Sequence, residues 1–215
     1  MALSHADERT LRRYRALAPV YDIVSLERLL YRDGREAAVA AAQLTEGQQV
    51  LDVGCGTGLT MPAIAERIGP TGHLIGIDSS PAMLAQASKR TIPARRSLIH
   101  ADAQHLSPES LTDHGVTGPI EAALFCYSLS VMPDWASAWE SVIPLLAPGA
   151  RVAIADLGLP STGGPPARFL ARILTRVGRS NIEAQPWTAL QESCSQIEHH
   201  ALKGGHVQVW AGTLR

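Results

Sequence analysis

Val50-Leu51-Asp52-Val53-Gly54-Cys55-Gly56-Thr57-Gly58 is the stretch that decides the fold. A short apolar run over 49–53 ends in three glycines at alternate positions, and helical spacing follows at once. A strand, a tight glycine turn and a helix start bring backbone against a nucleotide-like ligand. The glycines allow positive φ and lack the Cβ atoms that would block close approach. An ordinary strand–helix turn can look the same, so the meaning of the loop depends on what lies downstream.

A second apolar run, Leu74-Ile75-Gly76-Ile77, ends in Asp78. A carboxylate at the end of a second strand suits a ribose, because it can accept from both hydroxyls. The next helix is expected to start at Ser79-Ser80-Pro81, a polar cap with proline in the first turn. The loop lacks the Gly-Lys-Ser/Thr ending of a P-loop. Nicotinamide enzymes usually space their glycines Gly-x-Gly-x-x-Gly, whereas Gly54, Gly56 and Gly58 read Gly-x-Gly-x-Gly. That spacing favours S-adenosylmethionine.

Three segments together make the resemblance specific: Val50–Gly58, Gly76-Ile77-Asp78-Ser79-Ser80-Pro81-Ala82-Met83-Leu84 and Ala101-Asp102-Ala103. In order and spacing they resemble the cofactor motifs of class I S-adenosylmethionine-dependent methyltransferases over residues 45 to 157. The resemblance implies that Asp52, Gly54, Cys55 and Gly56 lie under the methionine part of the donor. It implies that Asp78 holds the ribose, that Ser79 or Met83 lies near the adenine, and that Asp102, followed by Ala103, accepts from the exocyclic amine. S-adenosylhomocysteine would be the product. A plain helix cap is the alternative for Asp102.

At 215 residues with a net charge of −1, the chain suits one domain with a substantial core and shows no basic excess that would favour nucleic acid. Cys55, Cys126 and Cys194 are too few and too scattered for a disulfide framework or a zinc site, and no metal is expected. Cys55 reads as a small packing residue rather than a nucleophile. The N-terminus has no apolar signal core and no run is long enough to span a membrane, so the expectation is a cytoplasmic protein.

Residues 1–46 read as an N-terminal helical lid, and residues 47–215 as the methyltransferase domain. Strands are expected at 49–53, 73–77, 97–100, 120–126 and 150–155, and helices at 58–68, 81–90 and 134–147, the last kinked or ended early by Pro144. A further helix should follow the loop over 158–166. Such alternation predicts an α/β fold with a mostly parallel sheet covered on both faces. Near the end, His199–Lys203 and His206–Trp210 flank Gly204-Gly205, a hairpin signal. The expected architecture is Rossmann-like, with seven strands and a C-terminal antiparallel hairpin. A dinucleotide-binding dehydrogenase lacks that hairpin.

Methyl transfer from a sulfonium needs alignment and exclusion of water more than acid–base chemistry. Two segments bear on the acceptor. Tyr14-Arg15-Ala16-Leu17-Ala18-Pro19-Val20-Tyr21-Asp22 resembles the N-terminal segment of small-molecule and lipid methyltransferases, in which a lid brings the tyrosine to the cofactor. The alternative is that Tyr21 is a core aromatic and Asp22 a helix cap. Phe125-Cys126-Tyr127-Ser128-Leu129-Ser130-Val131-Met132-Pro133-Asp134-Trp135 ends the fourth strand, where open α/β sheets bind substrates. It is similar to phosphatidylethanolamine- and betaine-lipid-type N-methyltransferases. Many quinone C-methyltransferases place histidines after the leucine, where this chain has Ser130 and Val131. Tyr127 or Ser128 would then position an acceptor nitrogen; a buried tyrosine bonded to backbone is the alternative.

Arg168, Arg172, Arg176 and Arg179 recur at helical spacing. They read either as a solvated helix face or as a patch for anionic lipid near the acceptor mouth. The sequence therefore points to methylation of a small or lipid-linked amine, with Tyr21 and Tyr127 at the transfer site. A quinone ring or natural-product phenol is the enzymatic alternative. A non-catalytic S-adenosylmethionine-binding partner protein is the alternative of another class.

Overall fold

A computed structural model describes residues 31–215, apart from 166, 167, 170, 173, 174 and 176–179. Strand β1 (Gln49–Val53) leads through the glycine loop to α2 (Met61–Ile68), and β2 (His73–Asp78) leads to α3 (Pro81–Ala87). Helix α1 (Arg32–Ala41) precedes them. Then follow β3 (Arg95–His100), a 3-10 turn Ala103–His105, α4 (Pro108–Thr112) and β4 (Ile120–Cys126). A second 3-10 turn, Leu129–Val131, joins β4 to α5 (Trp135–Val142). The last elements are β5 (Leu146–Leu157), α6 (Trp187–Ser193), β6 (Cys194–Leu202) and β7 (Val207–Leu214).

The seven strands lie in the order β3-β2-β1-β4-β5-β7-β6. Neighbours from β3 to β5 pair in parallel, whereas β7 runs antiparallel to both β5 and β6. The expected Rossmann-like sheet with its C-terminal antiparallel pair is what the chain forms. Strands β1, β2 and β4 are nearly all apolar because helices cover both sides of the sheet. On one side Ala38 and Val39 of α1, Ile64 and Ile68 of α2 and Ala87 of α3 pack together. On the other, Leu111 of α4, Trp139 and Val142 of α5 and Leu190 of α6 do so.

Several boundaries move from those expected. Pro144 does end a helix early: α5 stops at Val142, and Ile143–Leu145 continue as a 3-10 turn. The residues expected to finish that helix instead start β5, because the pairing of β4 with β5 shifts register between Ile120 and Ala122 and takes up the extra residues. β3 starts at Arg95, two residues earlier than expected, and α3 ends at Ala87 rather than 90. The hairpin turn is a 3-10 turn, Lys203–Gly205, with Gly204 at φ 65°.

Of the segment read as a lid, residues 1–30, with Tyr21, lie outside the described residues. Its remainder contains α1, whose Ala38, Val39 and Ala41 are buried against the sheet. The C-terminus of α1 is held by Arg151 of β5. This buried guanidinium donates from Nε to the Ala41 carbonyl at 3.0 Å and from Nη1 to the Gln196 carbonyl and Thr213 Oγ1, and it pairs with Glu198.

Candidate functional site

Strand order reverses between β1 and β4, so a crevice opens beyond their C-terminal ends, the usual ligand position in open α/β sheets. The glycine loop enters it from β1. Gly54, Gly56 and Gly58 sit at φ 69°, 55° and 75°, in the left-handed region that side chains disfavour. A Cβ at Gly56 would meet nothing within 4 Å, so that stretch of loop presents bare backbone to open space. A Cβ at Gly54 would stand 3.2 Å from Ser128 Oγ, which shows how closely the loop and the exit of β4 approach.

Asp78 fixes the loop from the neighbouring strand. Its Oδ2 accepts from Gly56 N–H and its Oδ1 from Ser80 N–H, both at 2.8 Å. A carboxylate has about four acceptor positions, so two remain for a diol. Burial raises the Asp78 carboxyl above its ordinary range, and the two backbone N–H groups oppose that rise. Ser80 caps α3 by accepting from Met83 N–H, which seats Met83 in the core beneath the loop. Ser79 is exposed beside it, and its carbonyl lies 3.1 Å from His100 Nε2.

Asp52 near the end of β1 is fully buried, and burial pushes its carboxyl up to about 7, against the pull of Arg35. Its Oδ2 and the hydroxyl of buried Ser128 have no hydrogen-bond partner among the described residues. Buried polar atoms are nearly always paired, so two such atoms beside a glycine loop mark a place for a polar ligand. Cys55 and Cys126 complete this wall. Burial holds both thiols high, Cys126 at about 12, so neither supplies a thiolate.

Tyr127 leaves β4 at φ 56°. Its ring stands edge-on to Tyr31 at 4.8 Å, the Arg35 guanidinium lies 5.2 Å from its centroid, and its hydroxyl donates to the Tyr31 carbonyl at 3.1 Å. The hydroxyl expected at an acceptor nitrogen is thus turned onto helix α1, because Gly34 opens the space for it. Any part of Tyr127 near the crevice acts through its ring and backbone.

Asp102 caps the 3-10 turn: Oδ1 accepts from Gln104 N–H, and both oxygens accept from Gln104 Nε2. Its carboxylate is therefore oriented by Gln104, with His105 Nδ1 3.3 Å from Oδ2, and the following Ala103 is buried. Gln104 Oε1 in turn accepts from Asp134 N–H at 2.8 Å, tying this turn to α5. The sequence did not single out Gln104, Gly34 or Arg35. It also gave no hint of a buried cluster at the exit of β5, where Ser130 N–H and Oγ donate to Asp156 and Ser180 Oγ stands 2.7 Å from Ser130 Oγ. Burial pushes the Asp156 carboxyl up to about 6.

The arginine stripe is only partly in view. Arg168 and Phe169 are exposed, and Arg172 donates to Glu183 Oε1 at 3.1 and 2.9 Å. Arg176 and Arg179 lie outside the described residues. Among the described residues no group of histidine, cysteine and carboxylates suits a metal, and no helix is long and apolar enough to cross a membrane.

Residues 50–149 match the family model described as a methyltransferase domain. The fold of the described chain is that of the S-adenosylmethionine-dependent methyltransferases. It superposes on such a methyltransferase from Aquifex aeolicus with a TM-score of 0.63 at 17% identity, covering 95% of this chain and 98% of that one. By sequence it is 28% identical over 166 residues to a demethylmenaquinone methyltransferase of Listeria monocytogenes, 74% of this chain and 66% of the relative. It is 32% identical over 151 residues to a 2-phytyl-1,4-naphtoquinone methyltransferase of Synechococcus elongatus, 67% of this chain and 61% of the relative. The chain thus spans slightly less than two thirds of the length of these relatives. The similarity expected to phosphatidylethanolamine- and betaine-lipid-type enzymes gives way to quinone methyltransferases among these relatives.

The residues of the crevice fit the donor. Its zwitterionic methionine end matches the two orphaned buried polar atoms, its diol matches the free positions on Asp78, and the bare glycine backbone leaves room between them.

Proposed function

We propose that this chain transfers a methyl group from S-adenosylmethionine to a ring carbon or oxygen of a quinone-type acceptor. The observation that carries the donor half is the Asp78 bridge from Gly56 to Ser80, which holds a side-chain-free loop open beside Asp52. The acceptor half is supported by the relatives, which are named for naphthoquinone-type methylation.

The donor supplies an activated methyl on sulfonium, and the chain's own residues bind and orient. Asp78 takes the ribose hydroxyls, and Ser79 and Met83 border the adenine. Asp102, held by Gln104 and backed by Ala103, accepts from the exocyclic amine. Asp52, Gly54, Cys55 and Gly56 bed the methionine part. Tyr127 walls the crevice with its ring, while Tyr21, expected at the transfer site from the sequence, lies outside the described residues. Proximity supplies most of the rate. Asp156, which accepts from Ser130 at the exit of β5, is a buried carboxyl at the same end of the sheet.

An amine acceptor stays as the second reading on one observation. Ser130, where many quinone enzymes carry histidine, is committed to Asp156 and offers no imidazole base. Contact of the arginine stripe with lipid belongs to either reading, since both acceptors can carry lipid tails.

The test is transfer of tritiated methyl from S-adenosylmethionine to demethylmenaquinone and, separately, to phosphatidylethanolamine vesicles. Label in the quinone alone is the expected result. Label in the headgroup alone replaces it with the amine reading. Donor binding without label in either removes both acceptors and favours the non-catalytic binding protein.

A further inference from the structure

Gln104 ties the turn after β3 to the start of α5. Its backbone N–H and its Nε2 donate to Asp102 Oδ1, each at 3.0 Å, and the same Nε2 donates to Oδ2 at 3.1 Å. Its Oε1 accepts from Asp134 N–H at 2.8 Å. A backbone N–H needs an acceptor and a carboxylate needs a donor, so one orientation of this carboxamide satisfies both neighbours. Asp134 caps α5 by accepting from Ser137 N–H. It also ends the segment that leaves β4 through Tyr127, the segment expected on the acceptor side.

The crowding of Asp102 decides what Gln104 does. A carboxylate has about four acceptor positions. Gln104 fills three of them, and His105 Nδ1 lies 3.3 Å from Oδ2 at the fourth. An arriving amine must therefore take a position already held. The Gln104 N–H is fixed by the 3-10 turn, and the 68% exposed His105 side chain covers a side open to water. The group that yields is Nε2, which lies between both oxygens and is the same kind of donor as an amine on a planar ring. A carboxamide is one rigid plane, so turning Nε2 away carries Oε1 off the Asp134 N–H. A second tie survives, because Ser141 Oγ donates to the Gln104 backbone carbonyl at 3.0 Å. The change is thus confined to the first turn of α5.

We propose that Gln104 is a positioning residue that joins Asp102 to Asp134 in the free protein and gives up both when the donor's adenine amine arrives. The inference rests on the donor reading and adds a link from it to the acceptor side. The start of α5 is released only once the donor is in place.

The experiment uses two probes on the full chain: S-adenosylhomocysteine, and S-inosylhomocysteine, which carries an oxygen in place of the adenine amine. In the unsubstituted protein, S-adenosylhomocysteine should speed amide exchange at Asp134 several-fold, and the inosine analogue should leave it unchanged. Gln104→Met should show the faster exchange with no probe present. By calorimetry that variant should widen the preference for S-adenosylhomocysteine over the analogue by about twofold to tenfold, the net worth of one hydrogen bond, since the amine no longer displaces a rival. His105→Ala should leave the preference as it is. A side chain that merely braces Asp102 predicts the opposite, a narrower preference in Gln104→Met. A narrower or unchanged preference there, a wider one in His105→Ala, or an Asp134 amide that S-adenosylhomocysteine slows or leaves alone would overturn the proposal. Failure of the unsubstituted protein to bind S-adenosylhomocysteine would instead overturn the donor reading beneath it.

Discussion

Gly34 of α1 and Tyr127 beyond β4 occupy one space: a Cβ at position 34 would overlap the phenolic oxygen and stand 2.7 Å from Val207 Cγ1. The helix therefore docks on the sheet through the ring and hydroxyl of Tyr127, which bonds the Tyr31 carbonyl. Gly34→Ala should cost about 1–3 kcal/mol of stability, as overpacking of a tight core contact does, measurable by urea denaturation.

The same contact separates two roles for Tyr127. If its hydroxyl serves α1, Tyr127→Phe loses one ordinary hydrogen bond, about 0.5–1.5 kcal/mol, and turnover changes by no more than a few-fold. A loss of turnover beyond about a hundredfold at unchanged donor affinity would return the hydroxyl to the acceptor, on the scale typical of acid–base catalysis.

Asp78→Asn should weaken S-adenosylhomocysteine by about tenfold or more and lower stability together. An amide presents a donor as well as an acceptor, so one of the N–H groups of Gly56 and Ser80 would face another donor. The unpaired group costs about 1–3 kcal/mol, read from the thermal midpoint, and the loosened loop lowers affinity in titration calorimetry.

Asp52 and Asp156 give stability a definite pH dependence. Burial holds their carboxyls at about 7 and about 6, above the ordinary 3.8, so the folded state binds more protons than the unfolded one across that interval. Their contribution is full below the ordinary value and is lost as pH rises through the folded values. The slope is at most about 1.4 kcal/mol per pH unit for each group. Denaturation of the free protein should therefore show declining stability between about pH 4 and 7, and Asp52→Asn should flatten the upper part. Donor binding should move the other way and tighten toward pH 7, since an ammonium prefers the charged Asp52. It should weaken again above about pH 8, as the donor's own amino group loses its proton.

Arg151→Met should cost about 3 kcal/mol in urea denaturation. It strips partners from the Ala41 and Gln196 carbonyls and from Glu198, and the last, being partly exposed, regains water. Glu198→Gln alone should cost under about 1 kcal/mol.

The donor side of this protein was legible because local chemistry and local structure coincide there. The glycine loop, the Asp78 that ends β2 and the Ser80-Pro81 cap each act within a few residues of where they are written. The acceptor side was not. Ser130 meets Asp156 and Ser180 across 26 and 50 residues, and serines carry no periodic signature. Gly34 looked like any small residue in a helix, since its role is set by a tyrosine 93 positions away in sequence. The strand expected at 150–155 starts at Leu146, because the register shift draws Pro148 and Gly149 into β5. The hairpin was readable from Gly204-Gly205, but the start of β6 at Cys194 was not, because its outward residues are mixed and exposed.

Strand β7 lies between β5 and β6, paired along Arg151–Leu157 of the former by Thr213–Val207 in antiparallel register. A chain emerging from the ribosome completes the first five strands long before it exposes this one. Until residue 214 has cleared the exit tunnel, the outer edge of β5 is an open row of donors and acceptors, free to pair with another unfinished chain. The vulnerable interval for this sheet therefore falls between the completion of β5 and the pairing of β7, with most of the donor crevice already built.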